Sequence, residues 1–293
     1  LTGSAADITT TLGASGITFG TTVGGTINDV SVSASALNTL DAAAGGTIDA
    51  STVKTVTGTG TAALTAFESA GISGLVFDAS SYIAGYADLM AAFSSDLGAA
   101  RVHYFDFGVS EGRSFDAFDE ASYLASYSDL LAAFGTNTDS ALLHYINNGY
   151  SEGRAVDTFD ENSYLASNSS LIGTVTDAAA HYVSTGYAAG LALDTFNEFS
   201  YIASYADLIS AFGVDGDAGT KHFVEYGSAE GRSDTFDELA YIASHTDLIA
   251  AFATDKVAVN VKDDPAFSVI ELAEDVKVTV GALSFSVMVI VTD

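Results

Sequence analysis

The centre of this chain consists of tandem copies of one segment, and each copy contains a Tyr that serves as its marker. The markers are spaced 41, 41, 37 and 40 residues apart, and a Phe precedes each of them by five residues. The five markers are Tyr82, Tyr123, Tyr164, Tyr201 and Tyr241. Periods of this length are typical of stacked supersecondary units, which become stable only when neighbouring copies cover one another's apolar faces. Such repeats build length and surface, and they are poorly suited to assembling a single active site.

The charge balance excludes several classes of partner. The chain has 9 Lys and Arg against 38 Asp and Glu, which gives a formal net charge of −29. A surface of this kind repels nucleic acid and anionic lipids, so we expect neither as a partner. No apolar run long enough for a membrane span is visible, and we expect no membrane insertion. The chain contains no Cys, which excludes disulfides and thiolate metal sites.

Residues 1–76 are rich in Thr, Gly, Ala and Ser. Residues 1–4 align with residues 56–59 at an offset of 55, which predicts a repeat of that length. Within it we predict strands at 29–33 and 47–56 and helices at 34–44 and 62–69. Because residue 1 falls inside a unit, we expect further copies upstream.

Residues 77–252 carry the marked copies, which we predict to be helical. In copy two, acidic residues open a short helix at 119–126, and Ser128 or Asp129 is placed to cap a second helix. A third helix covers 142–146 and is expected to end near Gly149 in a left-handed cap. Helices this short need packing to be stable, so we predict a solenoid-like stack. Copy three is four residues shorter between its Tyr and His, and its layer should be distorted.

Residues 253–293 change to a period of two, which predicts a C-terminal β segment. Its last stretch is apolar and almost uncharged, so it is either a central strand or a strand completed by another subunit. The predicted assembly contacts are Phe285, Val287, Val289 and Val291. The predicted fold class is therefore α+β: a central helical stack, flanked by a Thr/Gly-rich β/α repeat segment (1–76) and by this β segment.

Four histidines occupy one equivalent position in each full copy: His103, His144, His181 and His222. Zinc needs ligands that converge on one point, and a ladder with one His per layer does not converge. We therefore predict a structural role, in which the two nitrogens of each partly buried imidazole bond to a backbone carbonyl and to a Tyr or Asp of the adjacent copy.

Three copies end in Glu-Gly-Arg, and we predict that the two charges pair either with each other or with a neighbouring acidic loop, in a structural ion pair between layers. In copy three this tail reads Ala189-Gly190-Leu191, so both charges are lost together while the glycine stays. The joint loss indicates one shared environment, and the retained glycine indicates a backbone conformation that needs it. The charged residues are Glu111, Arg113, Glu152, Arg154, Glu230 and Arg232.

The acidic loops are candidate calcium sites, because calcium takes six to eight oxygen ligands. The best cluster contains Asp215 and Asp217, and copy two has Asn137 and Asp139 at the matching places. None of these loops has the twelve-residue pattern of a helix-loop-helix calcium site. Helix capping by Asp139 and Asp217 is the alternative explanation.

No nucleophile elbow, phosphate loop or dinucleotide fingerprint occurs in the chain. The abundant carboxylate pairs all fall in repeated positions that look solvated. We therefore predict that the protein is not an enzyme.

The phrase Tyr-(Leu/Ile)-Ala-Ser-x-x-Asp-Leu, followed by His-Tyr and Glu-Gly-Arg, resembles modules of large secreted bacterial surface proteins. Copies 118–154 and 201–232 match best, and the resemblance covers about 60% of the chain. Such modules accompany adhesins, hemolysin-type calcium-binding proteins and surface-layer proteins. The resemblance implies an extracellular or cell-surface location and identifies a module rather than an activity.

These observations favour a non-catalytic structural protein that self-assembles into a surface layer, sheath or filament. Its main partner would be itself, through residues 1–20 and the terminal β segment, and deletion of residues 276–293 should leave monomers. The alternative is a calcium-assisted adhesin or glycan-binding module. Glycan sites need aromatic faces open to solvent, and the repeated aromatic positions fall on apolar stripes.

Overall fold

The computed structural model describes residues 1–15, 19–20 and 22–248. The described chain is mostly helical, with a few short parallel strands, and is thus of mixed α and β class. It divides into two compact units, of which the first is Leu1–Phe159 and the second begins at Asp160. The β/α segment and copies one and two therefore lie in the first unit, and copies three and four lie in the second.

The β/α segment forms two parallel sheets. The larger sheet has the strand order β1-β2-β4-β6 and the smaller one pairs β3 with β5. The strands are β1 (Thr2–Gly3), β2 (Gly25–Ile27), β3 (Ser31–Ser33), β4 (Ile48–Asp49), β5 (Thr55–Thr57) and β6 (Ile72–Ser73). Three helices lie between them: α1 (Ala5–Leu12), α2 (Ala34–Ala43) and α3 (Gly60–Phe67). Ile27, Leu37, Leu40, Ile48 and Val56 form a core with no exposed area.

The strands recur every 23 or 24 residues, not every 55. Thr2 pairs with Thr26, Gly25 with Ile48, and Ile48 with Ile72, all in parallel register. The offset of 55 instead matches two helix starts, because Ser4 and Thr59 both cap helices through their side-chain oxygens. The predicted strand at 47–56 is two strands, β4 and β5, which belong to different sheets.

Each full copy contains a short first helix, a second element, a third helix and a π-helical turn. In copies one and two the α-helices are α4 (Ala79–Ala84), α5 (Ala87–Phe93), α6 (Leu97–His103), α7 (Val109–Glu111), α8 (Glu120–Ala125), α9 (Ser128–Phe134), α10 (Thr138–His144) and α11 (Tyr150–Glu152). In copies three and four they are α12 (Glu161–Ser167), α13 (Ala178–His181), α14 (Tyr187–Ala189), α15 (Glu198–Ala203), α16 (Ala206–Phe212) and α17 (Gly216–His222), and α18 (Glu238–Ser244) begins copy five. The π-helical turns are Tyr104–Gly108, Tyr145–Gly149, Tyr182–Gly186 and Phe223–Gly227.

Neighbouring copies pack in the same way within each unit. In the first unit, α4 of copy one contacts α10 and the π-helical turn of copy two. In the second unit, α12 of copy three contacts α17 and the π-helical turn of copy four. The marker Tyr of each full copy has no exposed area, so it forms the centre of its copy.

Several details of copy two differ from the prediction. Gly149 has an ordinary helical φ of −55°, and the left-handed position is Gly153, with φ of 74°. Tyr127, rather than Ser128 or Asp129, is the N-cap of the second helix, and it makes no side-chain capping bond. The third helix continues through the π-helical turn and into α11, so it ends after Gly149.

Copy three is distorted as predicted. A single 3₁₀ turn, Ser169–Leu171, stands where the other full copies have a seven-residue second helix. The missing four residues correspond to about one helical turn. The C-terminal β segment (253–293), with the predicted contacts Phe285, Val287, Val289 and Val291, lies outside the described residues.

Candidate functional site

The equivalent position of the four histidines in their copies is explained by a bond to the marker Tyr of the same copy. In copy two, the Tyr123 hydroxyl lies 3.0 Å from Nδ1 of His144. The equivalent distances are 2.9 Å for Tyr82 and His103, 2.8 Å for Tyr164 and His181, and 2.9 Å for Tyr201 and His222. We had predicted partners in adjacent copies. The difference arises because the first and third helices of one copy fold against each other, as α8 and α10 do.

The same Tyr hydroxyl lies against the glycine that ends the π-helical turn. A Cβ added at Gly149 would lie 2.3 Å from the Tyr123 hydroxyl oxygen. The corresponding distances at Gly108, Gly186 and Gly227 are 2.5, 2.3 and 2.0 Å. Each π-helical turn therefore places a glycine next to the Tyr hydroxyl that bonds the His. A side chain at this position would separate the two helices.

Burial keeps these phenols protonated. It raises the pKa of Tyr123 and of Tyr201 to about 12, and raises the pKa of Tyr164 as well. A neutral hydroxyl can donate a hydrogen bond to an unprotonated Nδ1 or accept one from an Nδ1–H group. The pair is thus satisfied in either tautomer of the imidazole.

The Arg of each Glu-Gly-Arg tail lies in a polar cluster inside its own copy. Arg154 donates two bonds to the Asp129 carboxylate, at 3.0 and 2.8 Å, and a third through Nε to Glu152 at 2.7 Å. Its guanidinium carbon lies 4.8 Å from the centre of the Tyr127 ring, within range of a cation–π contact. The bond to Arg154 lowers the pKa of Asp129. Copy one repeats all of these contacts at Arg113. In copy four, Arg232 donates one bond to Asp207, pairs with Glu230 and lies over the Tyr205 ring.

We call this set the Arg cluster: Tyr127, Asp129, Glu152 and Arg154 in copy two. The Asp lies 25 residues before the Arg in the same copy, so these are not pairs between layers. The Asp side chains are about 60% exposed, at 62%, 60% and 63% in copies one, two and four. Ion pairs this open to solvent contribute little individually.

In copy three all four members of the Arg cluster are replaced, by Asn168, Ser170, Ala189 and Leu191. The Asn168 side chain instead donates to the carbonyl of Ala192 at 2.7 Å. The left-handed glycine remains, since Gly190 has φ of 66°, as the sequence predicted. The sequence analysis used only the joint loss of Glu and Arg in copy three. The Tyr and Asp of the Arg cluster are lost in the same copy, and this could have identified them as its other two members.

The four predicted calcium ligands lie at the starts of two third helices. Asn137 and Asp215 are the N-caps, which accept bonds from the backbone N–H groups of Ser140 and Ala218. The predicted caps, Asp139 and Asp217, lie in the first turns and are exposed. Across the described ranges, no three His, Asp or Glu side chains are grouped so that they could hold a metal ion. Calcium binding stays a prediction.

A half-buried carboxyl opens the first helix of copy two. Burial, together with the nearby carboxylates of Asp116, Asp119 and Asp78, raises the pKa of Glu120 to about 7. Burial also raises the pKa of Glu198, at the equivalent place in copy four. In both groups, burial opposes ionisation of the carboxyl.

Two aromatic side chains lie open to solvent beside a histidine of the repeat, and sequence analysis missed them. Phe107 is 55% exposed and its ring centre lies 5.6 Å from that of His103. Tyr226 is 57% exposed and lies 5.7 Å from His222. Both follow their His by four residues, and this spacing was the available signal.

Comparison with protein-family models, with curated proteins and with solved structures gave no significant match. The resemblance to modules of secreted bacterial surface proteins therefore stays a prediction. None of the helices in the part of the chain that the structure describes has the length and hydropathy of a membrane span.

Proposed function

We propose that this chain is a non-catalytic extracellular structural protein that self-associates into a surface layer, sheath or filament. The supporting observation is that the residues that define the repeat bond to one another within a copy. His144 bonds to Tyr123, Arg154 bonds to Asp129 and Glu152, and the other full copies repeat the first of these contacts. Because these side chains stabilise the fold of each copy, they favour a structural role for the repeat.

Continuation of one packing mode through all copies would give a solenoid-like rod. The contact of a first helix with the third helix of the following copy occurs in both units, at α4 with α10 and at α12 with α17. Repeat proteins gain most of their stability from such nearest-neighbour contacts.

Self-association by strand addition is supported by the larger sheet. β6 pairs with β4, and no described strand pairs with the other edge of β6. The N–H and C=O groups of an edge strand can bind a strand from another subunit. Residues 1–20 and 285–291 are the other contacts that we propose. The extracellular location rests on the acidic, Cys-free composition and on the resemblance described above.

Negative-stain electron microscopy tests the proposal directly. Purified protein should form ordered filaments or sheets in millimolar calcium, and their loss in chelator would assign calcium to the contacts. Ser73→Lys should disrupt assembly by strand addition at β6, because Ser73 is exposed and a charge blocks edge pairing. Thr61→Lys on the exposed surface of α3 carries the same charge and is the matched control. Dispersed monomers of the unmodified chain under all conditions would contradict the proposal.

A further inference from the structure

Copies one and four each bring three aromatic rings together at the end of the third helix. In copy one, the His103 ring centre lies 5.5 Å from Phe93 and 5.6 Å from Phe107. In copy four, His222 lies 5.6 Å from Phe212 and 5.7 Å from Tyr226. We call each set an aromatic platform. The interplanar angles also agree, at 61° and 43° in copy one and 59° and 47° in copy four.

The open ring of each platform is not needed for folding. In copies two and three the equivalent positions are Asn148 and Thr185, which are exposed and polar. Their copies keep the buried Tyr–His pair, at 3.0 and 2.8 Å. Phe107 and Tyr226 therefore expose apolar area that the fold of a copy does not require. Each open ring instead adds to a local cluster of three rings, with His103 and Phe93 in copy one and with His222 and Phe212 in copy four.

Each platform combines open ring faces with one polar edge. Nδ1 of His103 bonds to the Tyr82 hydroxyl, and no further hydrogen bond of the imidazole occurs among the described residues. The same holds for His222 and Tyr201. Nε2 is therefore left to donate to, or accept from, a ligand hydroxyl. Aromatic faces are electron-rich and attract the weakly positive C–H groups on one face of a pyranose ring.

We infer that the two aromatic platforms are binding sites for a neutral carbohydrate. The sugar ring would stack on Phe107 or Tyr226, and one of its hydroxyls would bond to Nε2 of the adjacent His. The net charge of −29 disfavours acidic polysaccharides. The inference does not depend on the proposed structural role, since either can hold without the other.

Binding is tested with oligosaccharides of glucose, mannose and galactose, by saturation-transfer NMR and titration up to about 10 mM, a range suited to weak binding. The full chain should bind at least one of them. The double variant Phe107→Asn/Tyr226→Thr introduces the residues of copies two and three, and should bind about tenfold more weakly or worse. Circular dichroism and the melting temperature should remain those of the unmodified chain.

A gain-of-function variant sharpens the test. Phe134 already lies 5.8 Å from His144 in copy two, so Asn148→Phe should complete a third platform. Added to the double variant, this substitution should restore binding. An oligogalacturonide, which has similar rings but carries charge, should bind none of the variants.

Three results would overturn the inference. These are no binding of any neutral oligosaccharide, equal binding by the double variant, and no recovery with Asn148→Phe. Sedimentation measurements distinguish the competing explanation. If the unmodified chain self-associates, the double variant is monomeric and neither binds sugar, then the open rings are contacts between copies of the chain. Filament formation by the double variant is scored separately, so that failure of the carbohydrate sites and failure of the structural proposal are distinguishable.

Discussion

The Tyr123 hydroxyl lies 3.0 Å from Nδ1 of His144 and leaves no room for a side chain at Gly149. One oxygen thus satisfies a histidine and restricts the residue that faces it. The π-helical turn makes this possible, because its i→i+5 hydrogen bonds place one more residue in the turn than an α-helix has at this contact. The arrangement recurs in all four full copies, so it is the element on which the stability of a copy should depend most.

Substitution of Gly149 by Ala should destabilise the first unit by about 1–3 kcal/mol, the usual range for overpacking a buried site. The added methyl group would lie 2.3 Å from the Tyr123 hydroxyl oxygen and 3.2 Å from the Tyr145 ring. Urea denaturation followed by circular dichroism measures the change. Gly98→Ala in α6 is the control, since its nearest atom is the Asp96 carboxylate at 3.3 Å. An equal effect of the two substitutions would contradict the packing argument.

Removal of the hydroxyl should partly rescue this variant. Tyr123→Phe alone should cost about 1 kcal/mol through loss of the bond to His144. In the double variant Tyr123→Phe/Gly149→Ala the closest contact is absent, so the total cost should be less than the sum of the two single costs. The coupling energy of this double-mutant cycle is the readout. Additive effects would show that the hydroxyl is not what excludes a side chain.

The Arg cluster should make stability depend on salt and on acid. Arg154→Leu, the residue of copy three, should cost about 0.5–1 kcal/mol at low ionic strength and less in high salt, because the cluster is partly exposed. The folded-state pKa of Asp129 is lowered, so its contribution is complete above the ordinary carboxyl pKa of about 4 and is lost as pH falls through the lowered value. Acid titration of unfolding should therefore be flatter below about pH 4 in the variant.

The control for the Arg cluster is Lys221→Leu. Lys221 is an exposed cation whose nearest carboxylate, Glu225, lies 3.8 Å away. Its removal changes the net charge equally but breaks no bidentate bond. If both variants lose the same stability with the same dependence on salt, the effect is one of net charge and not of the cluster.

Glu120→Gln should stabilise the protein above neutral pH. The folded-state pKa of Glu120 is raised to about 7, so the folded protein holds this proton where the unfolded chain has lost it. The carboxyl therefore imposes a destabilisation that is complete above about pH 7 and disappears as pH falls toward about 4.3. The amide should add on the order of 1 kcal/mol at pH 8 and almost nothing at pH 4. Melting curves at both pH values test this, with the exposed Glu68→Gln as control.

Helical character, the short third copy and the left-handed glycine at Gly190 could be predicted from the sequence. Each follows from local rules: apolar spacing, residue count, and the freedom of glycine at positive φ. The cap assignments at Asp139 and Asp217 were displaced by two residues, because Asn137 and Asp215 accept the capping bonds. A capping residue differs from a first-turn acid only in its backbone conformation, which the sequence does not specify.

The π-helical turn and the Arg cluster depend on contacts that a linear pattern does not reveal. The third helix was predicted to end near Gly149 in a left-handed cap, because a glycine after an apolar helical run is the usual signal for one, and nothing in the local sequence marks a π-helical turn. Asp129 was predicted to be a cap because it stands at the start of an apolar stripe. Its actual partner is Arg154, 25 residues later in the chain, and local spacing does not reveal that contact. The repeat length of the first segment was overestimated because two capped helix starts resemble each other more than its strands do.

The parallel ladder of the first segment has a consequence for reach. Each step from one strand to the next consumes 23 or 24 residues and advances by the spacing of paired strands, about 4.8 Å. This is roughly 0.2 Å per residue, compared with about 1.5 Å in an α-helix. A ladder of this type that crossed 100 Å would need roughly 500 residues by the same spacing. Most of the chain in each step therefore runs across the ladder rather than along it, and each added step contributes backbone hydrogen bonds for only a small gain in length.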